Sequence, residues 1–183
     1  MCSISAAVKY EVAANVVLAV DEKEGGKPGQ WVRNSNGTYD VGYMQANTRY
    51  LADLARYGIK PEHVAAAGCY SHDLAAWRIR MHIKKDTGDL WTRASNYHSR
   101  TPAINAVYRA DLMRRAVKWA DWLEARFPTH NVLAPDTQRG PARVPATIVA
   151  AGPAAPAAKP HASARTWPTP SYVPRKLLVS AGP

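Results

Sequence analysis

Apolar residues recur at spacings of three and four through the first 133 residues, and sustained two-residue alternation is absent, which predicts an all-α body. A first helical region covers about residues 3–22, with a break near Tyr10-Glu11. It stops at Gly25-Gly26-Lys27-Pro28-Gly29, and a loop runs on through Asn34-Ser35-Asn36-Gly37. A helix from about Asn47 to Arg56 ends at Gly58, and Pro61 suits the first position of a short helix after it. Ser71 is the expected N-cap of a helix reaching Lys85, with Thr87-Gly88 as its stop. Asp89 caps a helix ending at Tyr97, and Thr101-Pro102 opens a long helix that Pro128 closes. The pattern adds up to about six short helices around one core, with no internal repeat.

The pattern changes abruptly after Phe127-Pro128. Ten of the fourteen prolines fall between residues 134 and 183, together with many alanines. Such a segment has too little apolar bulk to offset the entropy of ordering, so residues 134–183 are expected to be a disordered basic tail beside a domain at 1–133.

Charge narrows the partners. The chain of 183 residues carries a net charge of +10. Residues 1–133 hold 18 Lys and Arg against 13 Asp and Glu, and residues 134–183 hold 6 against 1, so half the excess sits in the tail. An acidic polymer or surface is the implied partner. Nucleic acid is not expected, because no helix-turn-helix, zinc or RNA-binding signature occurs. No stretch approaches the roughly 20 apolar residues of a membrane span, and the given N-terminus has no secretory signal pattern. His63, His72, His82 and His98 stand at unrelated helix phases and are assigned surface or core roles, and no zinc spacing or other metal or cofactor motif is present. Cys2 and Cys69 can be two free thiols or one disulfide.

One carboxylate stands out. Ala13, Val17, Val20 and Glu24 step by four, three and four, which places Glu24 on the apolar stripe at the helix end. A carboxyl held against apolar neighbours has a raised pKa and can serve as a general acid. Glu22 is offset from that stripe, and Glu22→Gln is expected to be nearly silent. Downstream, Gln45, Asn47, Asn34 and Asn36 offer neutral hydrogen-bonding groups, and Tyr97, Tyr39 and Trp31 offer aromatic faces.

Residues 24–47 contain a helix-ending Glu followed by glycines, then Asn34-x-Asn36-Gly37-x-x-Asp40-x-Gly42-x-Met44-Gln45-x-Asn47, with Tyr97 about fifty residues on in Asn96-Tyr97-His98. This arrangement resembles the soluble lytic transglycosylase domain of the goose-type lysozyme superfamily, particularly the small branch that accompanies type IV secretion, conjugation and pilus systems. The likeness covers about residues 3–126. The chain departs from the usual pattern at Gly25, where Ser is frequent, at the charged Asp21-Glu22-Lys23, and at His98, where the tyrosine motif ends in Asn.

The resemblance implies a lysozyme-like helical fold with Glu24 as the catalytic acid and Gln45, Tyr97, Met44, Asp40, Tyr39 and Asn47 as substrate-binding residues. It implies peptidoglycan glycan strands as substrate, cleavage with closure of a 1,6-anhydro ring on muramic acid, no cofactor, a monomer, and action in the periplasm. Secretion or conjugation subunits are the partners it suggests for the basic tail. It also implies a Cys2–Cys69 disulfide tying the N-terminal helix to the body. A hydrolysing muramidase using the same Glu24, and a non-catalytic wall-binding assembly subunit, are the competing readings.

Overall fold

The computed structural model describes residues 1–133 and 174–177. Among them are seven α-helices: α1 (Cys2–Lys9), α2 (Ala14–Glu24), α3 (Thr48–Leu54), α4 (Pro61–Ala65), α5 (Tyr70–Lys85), α6 (Leu90–Ser95) and α7 (Pro102–Glu124). The expected helical architecture is present.

Helix α2 is the centre of the body. Seven consecutive residues, Ala14 to Val20, are buried, so it is enclosed on all sides rather than facing solvent along one stripe. Helices α1, α5 and α7 pack around it, with Met44, Ile79, Leu112 and Leu123 completing the core. The break at Tyr10-Glu11 is real: Glu11 takes a left-handed conformation with φ of 51°, and α2 begins only at Ala14. Gly25, at φ of 58°, closes α2 with its N–H on Asp21 O, a left-handed cap that a residue without Cβ adopts cheaply.

Three short strands follow: β1 (Trp31–Arg33), β2 (Tyr39–Val41) and β3 (Ala46–Asn47). They form an antiparallel sheet in the order β1-β2-β3, with Asp40 opposite both Val32 and Asn47. The sequence predicted only a loop here, because strands of two or three residues are too short for alternation to show. A smaller apolar cluster, with Val41, Leu51, Leu54, Val64 and Leu74 at its heart, ties the sheet to α3, α4 and α5. Gly42 presses so closely on α4 that a Cβ there would lie 2.4 Å from Val64 O.

Two local expectations are corrected. Ser71 does not cap α5, whose N-cap is Cys69; Ser71 lies buried in the first turn, and its Oγ accepts a hydrogen bond from the Met44 N–H at 3.2 Å. Glu22 is not idle: it pairs with Lys118 at 2.9 Å and Arg115 at 3.0 Å and accepts the Trp119 Nε1–H at 2.6 Å, pinning the end of α2 to α7. Substituting Glu22 therefore acts on helix packing. The predicted cap at Asp89 is present, and Asn47, the expected start of α3, caps that helix; each accepts a backbone N–H of its helix.

The predicted tail lies mostly outside the described residues. Its residues 174–177 are described, and they do not stand apart from the body. Strand β5 (Arg175–Leu177) pairs antiparallel with β4 (Thr129–Asn131). Pro174 is fully buried, the Arg175 N–H donates to Oδ1 of buried Asn15 at 2.7 Å, and the Arg175 guanidinium meets Glu124 at 2.6 Å. Deleting residues 134–183 removes this strand and leaves the Asn15 oxygen without its Arg175 partner. It is predicted to lower unfolding stability by on the order of 3 kcal/mol, read as a fall in the thermal or urea midpoint. An unchanged midpoint would show that the strand adds nothing to the core.

The Cys2–Cys69 disulfide is formed, with Cα atoms 5.0 Å apart, and it joins the start of α1 to the start of α5. Its sequence separation of 67 restricts the unfolded chain strongly. In the chain-entropy treatment its loss costs about 4 kcal/mol. Denaturant unfolding of the Cys2→Ser/Cys69→Ser chain is predicted to show that loss, with the helical circular dichroism retained in water.

Candidate functional site

Glu24 ends α2 at the wall of a cleft of about 460 Å³. The turn between β1 and β2 contributes Asn34, Ser35 and Asn36, strand β2 contributes Asp40, and the turn into α3 contributes Gln45 and Asn47. Arg78 from α5 and Tyr97 and His98 from the turn after α6 complete it. Sheet and helices thus converge on one carboxyl.

Protein surrounds that carboxyl while part of its surface stays open to the cleft. Desolvation disfavours its charged form, and the nearby charge of Asp40 adds to the effect. A hydrogen bond from Tyr108 and the charges of Lys23 and Arg78 act in the opposite direction but do not balance it, and the pKa is pushed up to about 7. The Tyr108 hydroxyl donates to Glu24 Oε1 at 2.6 Å. That bond leaves Oε2 to carry the acidic proton. Tyr108 is itself buried on α7, and the His98 ring stacks on it at 4.6 Å between centroids.

The loop glycines make the close approach possible. Gly26 donates its N–H to Tyr43 O, and a Cβ on Gly26 would fall 2.1 Å from Gly42 O and 2.6 Å from Gln45 Nε2. Gln45 adopts a left-handed backbone with φ of 46°, unusual for a residue with a side chain, and its Nε2 donates to Gly42 O at 2.8 Å. Backbone strain is thus tolerated beside Glu24. Asn47 does two jobs: its Oδ1 caps α3, and its Nδ2 donates to Asp40 Oδ1 at 2.7 Å and to Thr38 Oγ1 at 2.9 Å.

The sequence-predicted residues divide. Glu24, Asp40, Gln45, Asn47 and Tyr97 meet at the cleft. Met44 does not: it is fully buried in the main core and acts through its backbone, its carbonyl accepting the Tyr97 hydroxyl at 2.6 Å. Tyr97 is nearly fully buried, with its hydroxyl committed to Met44, so it offers the cleft a fixed ring wall. Tyr39 is not among the cleft-lining residues; it sits exposed on β2, edge-on to Trp31 with ring centroids 6.0 Å apart. Sequence reading missed Tyr108 and Arg78 and gave His98 a bland role. Tyr108 lies on a helix whose registry against α2 is a tertiary matter, and its spacing carries no motif.

A second hollow of about 450 Å³, lined by Lys23, His98, Ala103, Ile104, Val107 and Tyr108, shares His98 with the cleft. Among the described residues no group of three or more His, Cys, Asp or Glu is placed to hold a metal ion. No helix among them is long and apolar enough to cross a membrane.

Against known proteins, the chain is 34% identical over 61 residues to the X polypeptide of Escherichia coli, a match covering 33% of this chain and 36% of that protein. It is 25% identical over 118 residues to the Invasion protein IagB of Salmonella typhimurium, covering 64% of this chain and 71% of that protein. The chain thus spans little more than a third of the X polypeptide. No protein-family model matches the chain. Both likenesses are distant.

The raised pKa makes the site's electrostatics measurable. Glu24 titrates near 7 in the folded chain and near 4.5 unfolded. The folded state therefore holds the proton more tightly, and stability is lost as pH rises through that interval. Glu24→Gln keeps an oxygen for Tyr108 but has no charge to bury. The variant is predicted to match the parent near pH 4.5 and to be more stable by on the order of 2 to 3 kcal/mol above pH 7.5, in urea titrations at the two pH values. A pH-independent difference would mean that Glu24 is an ordinary, solvated carboxylate.

Proposed function

We propose that the chain is a peptidoglycan lytic transglycosylase with Glu24 as its single catalytic acid and base. The observation that carries this reading is a desolvated carboxyl with a pKa of about 7, hydrogen-bonded by a buried tyrosine, at the wall of a cleft to which Asn34, Asn36, Gln45 and Asn47 contribute neutral amides. Glu24 Oε2 delivers its proton to the glycosidic oxygen between N-acetylmuramic acid and N-acetylglucosamine as the C1–O bond breaks. The resulting carboxylate then takes the proton of the muramic C6 hydroxyl as that oxygen bonds to C1. The proton count on Glu24 is restored, water is not consumed, and a 1,6-anhydro ring closes.

Tethering supports the second step, because a hydroxyl on the same sugar has an effective concentration far above that of a competing molecule. Gln45, Asn34, Asn36 and Asn47 match N-acetyl and hydroxyl groups, and the Tyr97 ring forms a fixed wall against which a sugar can be oriented. The adjoining hollow past His98 suits a substrate that runs on as a polymer. The likeness to an invasion protein and the Cys2–Cys69 disulfide fit action in an oxidising compartment at the bacterial wall, opening it locally for a secretion, conjugation or pilus apparatus.

One observation favours a second reading. Asp40 faces the same cleft, and a paired carboxylate is what a hydrolysing muramidase uses to activate water. Its Oδ1 is occupied by Asn47, which favours a holding role.

The parent chain is expected to clear peptidoglycan suspensions with activity falling above about pH 7, as Glu24 loses its proton, and Glu24→Gln to lose at least about a hundredfold. Mass spectrometry of the digest should show muropeptides one water lighter than hydrolysed ones and unaffected by borohydride. Mainly reducible ends would assign the chain to hydrolysis through Asp40. A Glu24→Gln chain that still clears walls would end the assignment.

A further inference from the structure

Two cations stand near Glu24, and the fold uses them differently. Lys23 closes an ion pair with Asp111 at 2.8 Å. Arg78, on the cleft wall, has no hydrogen bond or ion pair among the described residues. Its guanidinium rests instead on two rings, 4.1 Å from the Tyr50 centroid and 4.8 Å from that of Tyr97. Two ring contacts of this kind restrain a guanidinium without using its N–H donors. A planar fork of donors is the natural partner of a carboxylate.

The cleft itself does not supply that carboxylate. Asp40 is held by Asn47, Glu24 by Tyr108, and neither forms an ion pair with Arg78. Its nitrogens stay open to solvent, and the remaining polar groups around it are mainly neutral. The arrangement is that of a donor set waiting for an anion that arrives with the substrate.

We propose that Arg78 is a specificity-determining residue that forms a forked hydrogen bond to a carboxylate carried by the muramic acid residue of the bound strand. The proposal rests on the glycan-cleaving reading. That carboxylate has two sources: the lactyl group of a strand stripped of its peptides, or the stem peptide of an intact one. Strands of N-acetylglucosamine alone have the same ring and N-acetyl groups but no carboxylate, and they supply the baseline. The rival role for Arg78 is a counter-charge for Glu24, which would act alike on every glycan.

The test is calorimetric binding to the full chain carrying Glu24→Gln, which blocks turnover. The probes are a chitin hexamer, peptide-free wall strands and peptide-bearing wall strands. Arg78→Met keeps the length and apolar stem over the two tyrosines, and Arg78→Lys keeps the charge without the fork. Arg78→Met is expected to weaken one class of wall strand by about 10- to 100-fold, the scale of a hydrogen bond to a charged group, and to leave the chitin hexamer within twofold. Arg78→Lys should fall between, and it serves as the test if Arg78→Met does not fold. Loss confined to peptide-free strands identifies the lactyl carboxylate, and loss confined to peptide-bearing strands identifies the stem. Equal loss on all three probes, or no loss on any, overturns the proposal while leaving the glycan reading intact. A parent chain that binds none of the three removes the glycan reading and the proposal with it.

Discussion

Helix α2 is buried on every side over seven consecutive residues, all apolar but Asn15, so it is stable only when other helices enclose it. That requirement organises the molecule. Helices α1, α5 and α7 close around α2, the Cys2–Cys69 disulfide holds α1 against α5, and the Glu22 ion pairs fix the far end of α2 to α7. Glu24 is the last residue of this buried helix and inherits its surroundings. The raised pKa is a direct consequence of where the chain emerges from the core.

The same geometry accounts for the close-built loops. The chain must leave α2 at once and return as a small sheet beneath the carboxyl, which leaves no room for side chains at Gly26 and Gly42 and forces Gln45 into a left-handed backbone. These are costs to stability, borne next to the desolvated carboxyl of Glu24. Asn47 links the two demands: its oxygen caps α3 while its amide holds Asp40 on the neighbouring strand.

The site combines two kinds of electrostatic environment. At Glu24, desolvation keeps a proton on a carboxyl near neutral pH. At Arg78, aromatic faces hold a permanent charge in position without neutralising it. The first arrangement suits bond cleavage, and the second suits recognition of an anion.

The sequence by itself determined the helical body, the break after Tyr10, the start of α3 at Asn47 and the cap at Asp89, because each depends on residues within a turn or two of one another. Of the residues the motif between Glu24 and Asn47 singles out, with Tyr97, five line the cleft, while Met44 lies in the core and Tyr39 on the exposed face of β2. A motif records which positions matter without saying whether the side chain or the backbone does the work, and at Met44 it is the backbone. Only the tertiary structure supplied Tyr108, Arg78 and the β4–β5 pairing. Tyr108 reaches Glu24 across 84 residues and Arg175 reaches Asn15 across 160, and no local periodicity encodes contacts that exist only once separate helices have packed.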